Sequence, residues 1–277
     1  MITEFRTYLE NIKGYSHLTA VAYEKDVRAF ARWMKMRKPN ARWSCITRED
    51  VDKYIVVTTQ AGHKPATTCR HLSSISALYR YMKREGYDVE NPVRYESRPK
   101  VAERMPSTID MHTLLQGWSK TTGELHTIIT ILMTTGIRIQ ECLDLTWNDI
   151  KWEEKKILIH GKGGRDRYVY ICDILNDVLM DIPATVHGEH RLFPTWTQRR
   201  VRKELFWTMR EYENVSKCSP HVLRHTYATE MAKAGANVAQ LANLLGHKDI
   251  KTTQKYIDMN QVEAQALATM YNPLKSN

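Results

Sequence analysis

The sequence predicts a mainly α-helical chain with one small antiparallel β-sheet, arranged as a helical N-terminal domain followed by a mixed α+β domain. Three observations carry that expectation. Apolar residues recur at helical spacing through most of the first hundred positions. A charged stretch broken by prolines follows. Beyond it the helical period gives way once to alternation on either side of a glycine-rich turn.

An opening helix is expected over Ile2–Asn11. Tyr23, Val27, Phe30 and Met34 then mark an amphipathic helix over Ser16–Arg37. Thr47 followed by Asp50 has the spacing of a capping pair and opens a helix running to about Gln60. Leu72, Ile75, Leu78 and Met82 stripe a fourth helix that stops near Gly86. These elements make a four-helix domain over residues 1–92, closed by Asn91-Pro92. Residues 93–106 carry little periodic pattern and include Pro99 and Pro106, which marks a linker.

The second domain, residues 107–277, should begin with helices over Ile109–Trp118 and Glu124–Thr135. Lys156–His160 and Arg167–Ile171 flank the turn Gly161-Lys-Gly-Gly-Arg-Asp166, the pattern of a β-hairpin. Helices resume over Cys172–Met180, Thr197–Glu213, Pro220–Ala234 and Val238–Leu245.

Charge narrows the class of partner. The formal net charge is +10. Of 41 Lys/Arg and 31 Asp/Glu, residues 1–107 hold 20 and 12, so the excess lies in the helical domain. Such an excess suits a polyanion, because neutralised phosphates release condensed counterions. Five cysteines at 45, 69, 142, 172 and 218 form no C-x-x-C pair. They suggest core thiols in a reducing compartment rather than a disulfide framework or a zinc ribbon. The N-terminus lacks the apolar run of a signal peptide, and no stretch reaches the roughly 20 apolar residues of a membrane span. A cytoplasmic chain with no membrane partner is expected, nucleoid-associated if bacterial.

The segment Ser219-Pro-His-Val-Leu-Arg-His-Thr-Tyr-Ala-Thr229 carries chemistry. Ser219 suits a helix cap and Pro220 the first helical position. His221 and Arg224 share one face in the first turn, where free N–H groups favour an anion. His221 and His225 have the i,i+4 spacing of a zinc helix, but the acid of H-E-x-x-H is absent. Further on, Gly246 ends a helix, His247 follows on the exposed corner, and Asp249 is placed to cap a short helix leading to Tyr256. Tyr256, flanked by Lys255 and Asp258, does not suggest a core slot.

These residues resemble the closing half of the phage integrase or tyrosine recombinase family: H-x-L-R-H-T-x-A-T, then L-L-G-H-x-x-x-x-T-T-x-x-Y. Thr134-Thr-Gly-Ile-Arg-Ile-Gln-Glu-Cys-Leu-Asp-Leu145 resembles the family's T-G-x-R-x-x-E-x-x-x-L segment. Gly161–Arg167 resembles its G-K-G-x-K-x-R turn, with Arg165 in place of a lysine. The resemblance spans nearly the whole chain. It implies a site-specific recombinase that cuts and rejoins DNA through a covalent 3′-phosphotyrosyl link. It identifies Arg138, Lys162, His221, Arg224, His247 and the nucleophile Tyr256 as catalytic, with Glu141 orienting Arg138.

Each role has its own chemical sense. Phenolate attack on a phosphodiester builds negative charge that guanidiniums hold with paired hydrogen bonds. His221 is placed to act as base or further phosphate donor. Lys162 would protonate the leaving 5′ oxygen, and His247 would bond the phosphate. No metal, nucleotide or other cofactor is expected. The implied partner is double-stranded DNA with a specific core site built of inverted repeats. The helical domain would cover one face of the duplex and the catalytic domain the other. A homotetramer is implied in the synaptic complex, with Val262 and Leu267 of the Met259–Tyr271 tail packing on a neighbouring subunit. The need for a partner recombinase or accessory factor stays open. The chain opens directly in its helical domain, which points to simple Xer-like or invertase-like members without an arm-binding domain. A type IB topoisomerase-like relaxing enzyme and a non-catalytic DNA-binding regulator are the alternatives.

Overall fold

The computed structural model describes residues 1–95, 97–101, 107–161, 164–182, 190–212, 218–247 and 251–258. Chain contacts separate two compact units, Met1–Glu103 and Arg104–Asn277.

The first unit holds α1 (Ile2–Asn11), α2 (His17–Arg37), α3 (Arg48–Gln60) and α4 (Pro65–Arg84). Their ends follow local chemistry. Ser16 caps α2 by accepting from the Thr19 N–H. Thr47 and Asp50 form the reciprocal capping box expected at the start of α3. Pro65 occupies the first turn of α4, where a missing N–H costs nothing. The expected stripe on α2 is buried at Val27, Phe30 and Met34, and Tyr23 is half-buried. Leu72, Ile75, Leu78 and Met82 of α4 are all buried.

A polar network runs through this apolar core. Asp26 is 3% exposed and accepts from Ser74 Oγ at 2.9 Å and from Arg70. His71 Nε2 lies 3.2 Å from the same carboxylate, and its Nδ1 lies 2.9 Å from Tyr54 Oη. Burial pushes the His71 imidazole below its ordinary value, against the pull of Asp26. A neutral ring suits this position, donating through Nε2 to Asp26 and accepting the Tyr54 hydroxyl at Nδ1. The network ties α2, α3 and α4 together at defined registers.

The second unit comprises α5 (Met111–Ser119), α6 (Gly123–Thr135), α7 (Ile139–Asp144), β1 (Ile150–Lys151), β2 (Lys156–Ile159), β3 (Arg167–Tyr170), α8 (Asp173–Met180), α9 (Gln198–Met209), α10 (Pro220–Lys233), α11 (Val238–Leu245) and α12 (Lys251–Asp258). The sheet has order β1-β2-β3 and is antiparallel, with Ile157 opposite Val169 and Ile159 opposite Arg167. Ile157, Ile159 and Val169 face the core and the intervening residues face outward, as the period of two requires.

The fold class is as expected, with differences at element level. The two-residue strand β1 was not anticipated, since two residues carry no readable alternation. Helix α9 stops at Met209 rather than running to Glu213, and Glu213 itself lies outside the described residues. Helix α6 is apolar nearly all round, with Ile128, Ile129, Ile131 and Leu132 at most 1% exposed. It forms the centre of the unit, packed by α8 and α10. Among the described residues, no helix is long and apolar enough to cross a membrane.

Candidate active site

Two helix C-termini build the site. Helix α6 ends at Gly136 and α11 at Gly246, both in the left-handed conformation with φ of 64° and 63°. Glycine carries that conformation without a Cβ penalty. Each ending leaves backbone carbonyls without intrahelical partners, at the negative end of the helix dipole. Three arginines supply the missing donors. Arg224 donates to Gly136 O at 2.7 Å and to Leu245 O at 2.6 Å. Arg138 donates to Gly246 O at 3.3 Å, and Arg167 to Leu244 O at 3.0 Å.

Arg224 stands on the first turns of α10, started by Ser219 and Pro220 as expected. Its side chain is 5% exposed. Burial first, then the charge of Arg138, lowers its guanidinium pKa to about 10. Among the described residues it has no carboxylate partner within ion-pair distance. A cation confined in this way favours an arriving anion.

His247 lies next to it, with Nε2 2.9 Å from Arg224 Nη2 and Nδ1 2.8 Å from Thr253 Oγ1. A guanidinium only donates, so Nε2 is the acceptor. That assignment puts the imidazole proton on Nδ1, towards Thr253.

Arg138 caps α7. Its backbone N–H donates to Glu141 Oε2 at 2.8 Å and its Nη1 to Oε1 at 2.8 Å. Glu141 therefore meets Arg138, because the helix starts at Ile139 and brings position 141 one turn on. A second arginine grips the same carboxylate: Arg167 reaches Oε1 at 3.2 Å and Oε2 at 2.8 Å. Burial acts to raise the Glu141 pKa. The hydrogen bonds from Arg167 and Arg138 outweigh it and hold the carboxyl below its ordinary range. In the sequence Arg167 marks only the junction of the hairpin turn with its second strand, so this part is not legible there.

His221 is exposed at the edge of the same region. Partial desolvation, followed by the charges of Arg202, Arg224 and Arg138, lowers its pKa. Arg138, Glu141, Arg167, Gly246 and His247 line a cleft of about 1060 Å³. Lys162 and Asp249 lie outside the described residues, as does the 259–271 tail with Val262 and Leu267. The base of the Lys162 turn is described. His160 bridges Asp166 and Asp149 at 3.0 Å each, and Asp166 also accepts from the Gly161 N–H at 3.2 Å. Asp166 first, then Asp149, pushes the His160 pKa up.

Tyr256 corrects an expectation. It occupies a core slot after all, at 1% exposure, against Ala228, Ala232, Leu241 and Leu245. Thr253, one turn earlier, is fully buried on the same face of α12. Tyr256 Oη lies 2.5 Å from His225 Nδ1. Burial raises its phenol pKa, while Arg224 lowers it. His225 is thus engaged with the tyrosine, and among the described residues no group of three His, Cys, Asp or Glu side chains is placed to hold a metal ion.

Comparison with known proteins follows the same lines. Residues 107–263 match the phage integrase family, and residues 2–86 match the phage integrase N-terminal SAM-like domain. Tyrosine recombinase XerC of Halalkalibacterium halodurans is 26% identical over 295 residues, covering 98% of this chain and 97% of that protein. Tyrosine recombinase XerD of Oceanobacillus iheyensis is 24% identical over 290 residues, covering 98% of each. Among solved structures, XerH site-specific recombinase bound to palindromic difH substrate, a post-cleavage complex, aligns with a TM-score of 0.73 at 18% identity. That alignment covers 98% of this chain and 85% of XerH. A lambda integrase dimer bound to a COC′ core site aligns with a TM-score of 0.70 at 19% identity, over 93% of this chain and 76% of that one.

Proposed function

The chain belongs to the phage integrase family, and on that footing we propose that it is a Xer-type tyrosine recombinase that cleaves and rejoins DNA at a specific site. The observation that carries the site assignment is the convergence of Arg138 and Arg224 on the C-terminal carbonyls of α11 beside His247. The two guanidiniums are distant in sequence and are aimed by the ends of two different helices.

Tyr256 Oη attacks the scissile phosphorus, forming the 3′-phosphotyrosyl bond as the bond to the 5′ oxygen breaks. Negative charge gathers on the non-bridging oxygens, and Arg138 and Arg224 donate to it. A phosphate entering here takes over the guanidinium hydrogens now given to His247, whose Nε2 donates to the phosphate once it carries a proton. His221, with its lowered pKa, is a base or a further phosphate donor. Lys162 protonates the departing 5′ oxygen. The new ester keeps the energy of the broken one, so rejoining is the reverse attack by a 5′ hydroxyl and needs no nucleotide.

The positively charged helical domain, residues 1–92, binds duplex phosphates, with residues 93–106 as linker and 107–277 as catalytic domain. A tetramer on two core sites built of inverted repeats exchanges strands, with the 259–271 tail linking subunits. Similarity over the full chain runs to recombinases, which disfavours a topoisomerase-like relaxing enzyme and a regulator without cleavage.

A nicked suicide duplex carrying the cognate site tests the nucleophile. The native chain should give a protein–DNA adduct stable on denaturing gels, and Tyr256→Phe none. An adduct with Tyr256→Phe removes Tyr256 from the role.

A further inference from the structure

Helix α12 is fastened at two points along one face. Thr253 Oγ1 is bonded to His247, at the cleft. One turn on, Tyr256 is packed in a pocket of Ala228, Ala232, Leu241 and Leu245, and its hydroxyl meets His225. The two rings lie 5.8 Å apart between centroids and tilted by 43°, so the contact is made through the polar edge rather than by stacking. His225 immediately follows Arg224 on α10. The side chain aimed at the helix ends and the side chain that holds the phenol therefore leave the backbone at successive positions.

A buried hydroxyl is costly without a partner, and His225 supplies Tyr256 with one at 2.5 Å. At 1% exposure, Tyr256 offers no phosphorus a line of attack. Leaving the slot means giving up the bond to Nδ1.

We propose that His225 is a positioning residue that latches Tyr256 out of the cleft, and that strand cleavage begins when the His225–Tyr256 bond is given up for the phosphate. This rests on Tyr256 being the nucleophile. No covalent change occurs at the latch itself; a hydrogen bond is broken and the phenol keeps its proton until attack.

The test is nitration of the full-length chain by tetranitromethane without DNA, read as modified peptide by mass spectrometry. Tyr95, 83% exposed, serves as the internal standard. In His225→Phe, which keeps a ring but loses the acceptor, Tyr256 should nitrate about fivefold faster, the factor one net hydrogen bond is worth. His225→Leu provides a second variant without an acceptor should the first fail to fold. Circular dichroism and melting temperature establish which variants are folded. Unchanged Tyr256 nitration in the folded variants overturns the latch.

A second readout separates positioning from general damage. On the suicide duplex, the adduct-forming rate at saturating DNA should rise while the half-saturating DNA concentration stays put. A fall in that rate overturns the latch and makes His225 a participant in the chemistry. If nitration rises but neither native nor variant chains form an adduct, the recombinase reading fails, and only the shielding of Tyr256 by His225 survives, without a part in strand cleavage.

Discussion

Arg167 donates to both carboxylate oxygens of Glu141, at 3.2 and 2.8 Å, while Arg138 holds the same group from the other side. One acid thus balances two guanidiniums at the cleft. Glu141→Ala should lower unfolding free energy in urea by about 3 kcal/mol, because removing one member of a buried ion set strands the others. The carboxyl is held below its ordinary value near 4.5. Its folded form therefore binds a proton less readily than its unfolded form. The contribution is complete above about pH 4.5 and is lost as pH falls through the folded value. Urea midpoints measured across that range should decline more steeply for the native chain than for Glu141→Gln.

Arg224→Lys keeps a charge but not the fork that reaches two carbonyls and a histidine. Adduct formation on the suicide duplex should fall by about 100- to 1,000-fold, the cost of losing one preorganised donor. Arg224→Ala should fold less stably as well, since Gly136 O and Leu245 O lose their donors at about 1–3 kcal/mol for each buried group left unsatisfied. Denaturation and single-turnover cleavage measured on the same preparations separate the two effects.

Gly246→Ala should damage activity more than its stability loss accounts for. The left-handed φ alone costs an alanine about 1–2 kcal/mol. The added Cβ would also lie 2.9 Å from the Arg167 guanidinium, which must shift away from Glu141. At Gly136 the new Cβ would instead strike the Tyr227 ring at 2.2 Å, so Gly136→Ala should be the more destabilising of the two. Melting temperatures compared with adduct rates check the contrast.

The helical domain should weaken in alkali. Burial first, then Asp26, pushes the Tyr54 phenol up to about 12. The folded state holds this proton more tightly than the unfolded state. The contribution is complete below about pH 10 and is lost as pH rises towards about 12. Tyr79 is shifted in the same direction by burial, so Tyr54→Phe should flatten only part of the alkaline decline in melting temperature.

The boundaries that chemistry marks locally were legible in the sequence. The Thr47–Asp50 capping box, the Ser219 cap with Pro220, and Gly246 after α11 all stand where their residue types placed them. The cationic residues could be named because their order along the chain carried the resemblance. What was hidden depends on tertiary packing. Arg167 reads as a hairpin residue until the fold brings it to Glu141 and Leu244. The burial of Tyr256 is masked in the sequence by its charged neighbours Lys255 and Asp258. The relevant signal was Thr253, three residues back on the same helical face and fully buried. At His225 the sequence offers only the i,i+4 spacing with His221, since nothing local to α10 announces a tyrosine arriving from α12.

The arginines of this site lean on main-chain oxygens at Gly136, Leu244, Leu245 and Gly246. A carbonyl is supplied by every residue type, so replacing Leu244 or Leu245 with another apolar residue leaves the acceptors in place. What cannot drift freely are the two left-handed glycines that present them. The site is consequently tolerant of wide sequence divergence around it and brittle at two positions that carry no side chain at all.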